Sequence, residues 1–196
     1  MAAKKAGFGM FRVDAPDFKK VARAFEAVGE ETKLRIIPKS LNFVGKQANT
    51  QIKRKLAKET GMAYGRVGRR VQLWRATPGR PVFTIHVRDR HGKITMGNYG
   101  ARQQKAGVRH KAWGGKLAKG AFILRSGSGG PAVARTGPGR RAKLKNLYGP
   151  NIAREVERNQ HFILAKTNEL LGTKYVPEVL RLIDMALQKQ KSRQGL

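Results

Sequence analysis

Between Arg90 and Arg154 the chain contains no Asp and no Glu. Those 65 residues carry 15 Lys or Arg and 13 of the chain's 23 glycines. A stretch so basic and so rich in glycine cannot screen itself with its own side chains. Two readings follow: a surface that meets phosphates or an acidic protein face, or a solvated loop that is merely basic. Local acids would relieve the repulsion and are missing, which favours the first. The twelve acids sit elsewhere, five before residue 32 and five after residue 154. Against 42 Lys and Arg they leave a net charge of +30 on 196 residues. Such a charge implies a polyanionic partner or a crowded assembly.

The length fits one domain, or one small domain with extensions. Cysteine is absent, which excludes disulfides, Cys-based zinc sites and thiol chemistry. The longest apolar runs are a few residues, such as Ala121 to Leu124, so no membrane span is expected. Met1 to Phe11 lacks the apolar stretch of a secretory signal, and a cytosolic protein is expected.

Periodicity supplies the elements. Residues 1–13 read as a loose arm. Asp14 can cap a helix, Pro16 suits its first turn, and Asp17 complements its dipole. Phe18, Val21, Ala22, Phe25 and Val28 then form one apolar stripe, predicting a helix over 15–29. Ile37, Leu41, Val44, Ala48, Ile52 and Leu56 recur every three or four residues and predict a second helix near 35–60, starting at Thr32 or Pro38. Gly61 can close it in the left-handed conformation. Lys53, Arg54, Lys55 and Lys58 make its exposed face basic. Val82 to Val87 is β-branched and aromatic, and reads as a strand of a meander over 72–97, turning at Asp89 to Gly92 and returning through Ile94 to Met96. Residues 97–119 show no period and read as a functional loop. Ala121 to Leu124 and Ala132 to Arg135 suggest a second hairpin over 120–136 around a Ser-Gly turn. A last helix is expected over 151–188, split near Gly172 and Pro177. The expected fold is α+β, a small antiparallel sheet of two hairpins packed with long N-terminal and C-terminal helices. Residues 1–31 form an arm and helix, 32–190 a single domain, and 191–196 a basic tail. Phe18, Phe25, Leu41, Val44, Ile52, Phe83, Ile85 and Ile163 are the expected core, some of it buried only between subunits.

Catalytic signals are lacking. His86, His91, His110 and His161 are scattered, and none pairs with an acid or another histidine at ligand spacing. Glu155 and Glu157 point to different faces of a helix. The Ser126 to Gly130 run lacks the Lys-Ser/Thr of a phosphate loop. No enzyme activity, cofactor or metal is expected. Tyr99, Trp113 and Tyr148 lie in the basic window, where aromatics can stack on bases. The plainer reading is that Trp113 anchors its loop in the core.

The order of short motifs adds a resemblance. Arg54-Lys-Leu-Ala-Lys-Glu-Thr-Gly-Met62 is followed by Gly120-Ala-Phe-Ile, Val133-Ala-Arg and Leu147-Tyr-Gly-Pro150. With the size and basic balance, this pattern over residues 38 to 190 resembles the minor tail protein Z family of long-tailed bacteriophages, the tail completion or neck proteins. The resemblance implies a virion component at the head-proximal end of the tail, present in the host cytoplasm during assembly. It implies a ring of the chain itself, expected as a hexamer. The implied partners are a head-closure or connector protein, a tail terminator or tail-tube protein, and genomic double-stranded DNA. A nucleic-acid-binding protein of ribosomal or nucleoid type is the alternative on charge alone. Arg102, Lys105, Arg109, Lys111, Lys116 and Lys119 are the expected contacts to DNA phosphates or to acidic neighbours. Asp14, Asp17, Glu26, Glu30 and Glu31 are the expected contacts to other subunits or partners.

Overall fold

A computed structural model of the chain describes residues 18–87, 93–124, 130–139 and 141–193. The fold is α+β, with long helices at both ends and small antiparallel sheets between them. Helix α1 (Phe18–Glu26) leads into α2 (Glu30–Thr60) and the short α3 (Tyr64–Arg70). Ten short strands follow, β1 (Val71–Trp74), β2 (Thr84–Val87), β3 (Ile94–Thr95), β4 (Arg102–Gln104), β5 (Gly107–His110), β6 (Lys116–Lys119), β7 (Ala121–Ile123), β8 (Ala132–Arg135), β9 (Leu144–Asn146) and β10 (Tyr148–Gly149). The chain ends in α4 (Ile152–Arg158), α5 (Gln160–Leu170), a π-helical turn at Leu171–Tyr175 and α6 (Val176–Arg193).

Helix α2 is the axle of the molecule. Ile36, Ser40, Val44, Ala48, Ile52, Leu56 and Thr60 are buried, each four residues after the last. With 3.6 residues per turn, each such step advances the buried line by about 40° around the helix. The line therefore winds from one side of α2 to the other. Its first part faces a helical core of Val21, Val28, Ile36, Val176, Val179 and Ile183. Its middle, Val44 and Ala48, meets Leu170. Its last part, Ile52 and Leu56, joins the main core with Met62, Val67, Val71, Ile94, Tyr99, Val108 and Ile152. Pro38 lies inside the helix, eight residues past its start, and removes one rung of the ladder. Two local features fix α2 in place. Gly61 takes φ 71° and donates to the Ala57 carbonyl, the expected left-handed cap. Gly45 lets the Phe83 ring lie against the helix backbone: a Cβ there would stand 2.3 Å from the ring.

Several expectations need correction. Helix α2 starts at Glu30, before both proposed starts, because Gly29 already provides the extended N-cap conformation. Ile94 and Thr95 pair with β10 rather than returning along β2. Strand β2 does pair with β1, the part of the expected meander that forms, with Val71 opposite Val87 and Trp74 opposite Thr84. Residues 97–119 are an ordered three-stranded sheet β4–β5–β6 with short 3₁₀ turns at Met96–Tyr99 and Ala112–Gly114. Tyr99, not Trp113, is the core anchor of this segment. Tyr99 is fully buried and its hydroxyl donates to the Pro150 carbonyl, whereas Trp113 is half exposed. The second hairpin forms as expected, Phe122 opposite Val133, and β9 adds a third strand. The C-terminal helix divides at Gly172 through a π turn, and also at Asn159, where φ −97° and ψ 17° leave the helical range between α4 and α5. Of the expected core, Val44 and Ile52 are buried, while Phe25, Leu41, Phe83, Ile85 and Ile163 are half-buried. The side chain of Phe18, the Asp14 cap and the turn at 89–92 lie outside the described residues.

Candidate polyanion interface

Alternation along the strands sorts the side chains of the β4–β5–β6 sheet onto two faces. On β5, Val108 and His110 are buried and Arg109 is exposed. Arg102 stands directly opposite Arg109, Leu117 stands opposite it on the other side, and Lys119 lies opposite Gly107. Arg102, Arg109 and Lys119 thus share the solvent face with Gln104 and Leu117. The opposite face carries Gln103, Val108, Ala118, His110 and Lys116. Gln103 ties this sheet to the next one: its Oε1 accepts from the Ile123 N–H at 3.0 Å. Of the other expected cations, Lys105 lies in the β4–β5 turn. Lys111 follows β5, with its backbone N–H donating to the Tyr99 carbonyl at 2.9 Å. All six expected cations are exposed. Three share one face, Lys105 and Lys111 lie in the adjoining turns, and Lys116 belongs to the opposite face.

Like charges directly opposite one another in an antiparallel pair destabilise the sheet. Among the described residues no acid pairs with Arg102 or Arg109. Among the described residues, every Asp and Glu lies on a helix. Most of those acids are engaged by a cation one turn away on the same helix. The pairs are Glu30 with Lys33, Glu31 with Arg35, Glu59 with Lys55, Glu155 with Arg158, Glu169 with Lys166 and Glu178 with Arg181, all within 3.0 Å. The Arg181 guanidinium, through its hydrogen bonds, holds the Glu178 carboxyl below its ordinary range. Most of the helical acids are thus taken up on their own helices, and among the described residues none lies on a sheet.

Three of the five expected acidic contacts lie among the described residues. Glu30 and Glu31 are exposed, but each already binds a cation of its own helix. Glu26 is exposed at the end of α1, and Asp14 and Asp17 lie outside the described residues.

His110 is a buried titratable group of the same sheet. It is buried under β5, with Trp113 edge-on at 6.3 Å between ring centroids. Its Nδ1 has no hydrogen-bond partner. Burial pushes its pKa down, against a backbone hydrogen bond at Ala112 that pulls it up, and the Lys116 charge adds to the effect of burial. Trp113 sits at φ 51° in the turn beyond it, a left-handed conformation that costs a bulky residue about 1–2 kcal/mol. No periodicity or spacing signals this pair. On the neighbouring hairpin, Trp74 stacks on His86 at 5.1 Å with the rings 3° from parallel. This exposed diagonal pair was also missed, since it depends on the β1–β2 register.

Among the described residues no cluster of three or more metal-ligating side chains occurs, and no helix is long and apolar enough to cross a membrane. Comparison with protein-family models, curated proteins and solved structures returns no match.

Proposed function

We propose that this chain is a structural ring protein at the head-proximal end of a phage tail, joining or completing the head–tail connection. It has no catalysis of its own in this reading. The observation that carries it is the bare cationic face of Arg102, Arg109 and Lys119, built on an ordered sheet and left without acids by helices that pair their own. Such a face is stabilised by a polyanionic neighbour, either the genome end or acidic surfaces of head-closure and tail-tube proteins.

The motifs of the resemblance support this by where they fall. Arg54 to Met62 forms the last turns of α2 and its cap. Gly120 to Ile123 and Val133 to Arg135 supply paired strands β7 and β8. Leu147 to Pro150 carries β10 and the carbonyl that accepts from Tyr99. Leu56, Met62, Ala121 and Tyr99 meet in the main core, and Leu147 packs against it. The pieces are the parts of one packing unit.

The test is to purify particles from a host producing this chain and wash them at high salt, where the Debye length falls to about 3 Å. A ring protein stays in the neck and appears there as a closed ring by electron microscopy. The second reading, a sequence-independent nucleic-acid-binding protein, draws on the same face. It gives the opposite result, loss of the chain from its partner as salt rises.

A further inference from the structure

The solvent side of α2 is the counterpart of its winding core. Arg35, Lys39, Phe43, Lys46, Arg54 and Lys58 are exposed, and Thr50 is partly so. The spacings are four, four, three, four, four and four, so this ridge winds around the helix as the buried line does. From Arg35 to Lys58 it runs 23 residues, about 35 Å at 1.5 Å per residue. No acid lies between Glu31 and Glu59. Arg35 is held by Glu31. Lys39, Lys46, Arg54 and Lys58 make no ion pair among the described residues.

Apart from Arg35, which pairs with Glu31, and Lys58, which sits in the last turn, this charge does nothing for the helix. Arg54 and Lys58, four apart, are like charges on one face and weaken it slightly, as do Arg35 and Lys39. The middle of the row is far from the C-terminal carbonyls, where a cation would be favourable. Core packing does not use these side chains either.

We propose that the α2 ridge is a second anion-binding surface, which lies along the phosphate backbone of duplex nucleic acid. The ridge matches a duplex in length, since one turn of B-form duplex spans about 34–36 Å. Both bodies are rigid, so four cations can be neutralised together without ordering either. Phe43 is the single aromatic on the row, which leaves no series of stacking platforms such as single strands use. Contacts from Lys and Arg to phosphate carry no sequence information, so binding is independent of sequence. The site is separate from the β4–β6 face and does not depend on the ring reading.

The experiment measures binding of the full chain to a random-sequence duplex and to its single strand between about 50 and 200 mM salt. The variant replaces Lys39, Lys46, Arg54 and Lys58 with Gln, a residue of similar helix propensity. Circular dichroism checks that it folds. Two half variants, Lys39→Gln with Lys46→Gln and Arg54→Gln with Lys58→Gln, stand in if it does not. A control replaces four exposed cations from elsewhere, Arg141, Lys143, Lys145 and Lys174, with Gln. The expected result is that log K against log salt becomes shallower by about 3–4 in the ridge variant and by about half that in each half variant. The control changes it much less. An equal change in the control, an unchanged slope in the ridge variant, tighter binding of the single strand, or no duplex binding by the native chain would each overturn the proposal. Loss of particle incorporation with an unchanged duplex slope would assign the ridge to a protein partner and overturn it too. The ring reading survives any of these outcomes, because its own test is retention in the neck.

Discussion

His110 shows how one side chain ties pH to stability. Its ordinary pKa of 6.5 is lowered in the folded chain, so the unfolded chain binds its proton more tightly. Stability is therefore intact above about 6.5 and falls as pH drops below it, levelling once the folded state also protonates. Glu178 acts in a lower window: its contribution is present above its ordinary 4.5 and is lost as pH falls further. Urea midpoints measured from pH 8 to 5 should decline in the native chain (about pH 6.5 downward) and stay flat in His110→Leu. A matching decline in the variant would mean that another group carries the effect. Gly45 is a second single-residue test. Ala in mid-helix is worth about 1 kcal/mol over Gly. Here its Cβ would stand 2.3 Å from the Phe83 ring, which has to leave its place. Overpacking of that kind costs about 1–3 kcal/mol, so Gly45→Ala should be net destabilising. In a Phe83→Ala background the same change should become neutral or stabilising. A double-mutant cycle by urea unfolding reads the coupling, and simple additivity would refute the contact.

At the scale of elements, the depth of burial along α2 sets what truncation costs. Leu56 is 1 % exposed and touches the main core, so Leu56→Ala should cost about 3–5 kcal/mol. Leu41 is half-buried and should cost clearly less, near the bottom of the usual range for such changes. Thermal or urea unfolding ranks the two, and equal losses would contradict the winding line. The same helix shows how far a sequence can be read. Val44, Ala48, Ile52 and Leu56 were legible, since all are apolar and spaced by four. Ile36 and Ser40 were not, because a polar residue occupies the row and an apolar Ile37 and Leu41 sit beside it. Ser40 is buried there because its hydroxyl reaches the Ile37 carbonyl at 2.9 Å. The sheet at 102–119 was hidden for a related reason. Strands of three or four residues, with Arg, Lys and Gln facing solvent, give too few alternations to register against glycine breaks. The cations that form the candidate face were nevertheless identifiable, because a missing acid is visible without any knowledge of the strands. The pairing of Ile94 with Gly149 was not, since it joins segments 55 residues apart.

At the scale of the whole molecule, acids and excess cations are segregated among the described residues: acids on helices, most of them beside a cation of the same helix, and positive charge without a neighbouring acid on the β4–β6 face and along the α2 ridge. Segregation predicts a conflict between stability and function at Arg102 and Arg109. In the isolated chain the two guanidinium groups face each other across β4 and β5 on a molecule of net charge +30. Replacing both with Gln keeps a polar side chain at each position and removes the repulsion. A like-charged cross-strand pair is worth a few tenths to about 1 kcal/mol. For a chain of this size that is a rise of roughly 1–4 °C in the unfolding midpoint. The same variant should lose polyanion binding, with a salt slope shallower by about 2 if both contact phosphates. In particles, replacing Arg102, Lys105, Arg109, Lys111, Lys116 and Lys119 together with Gln separates the two kinds of neighbour. A retained ring with a displaced or leaking genome end assigns the face to DNA, and loss of the ring assigns it to acidic proteins. A double variant that is no more stable than the native chain, or that binds polyanions as well, would show that the opposed arginines are an ordinary solvated pair, and would remove the observation on which the ring reading rests.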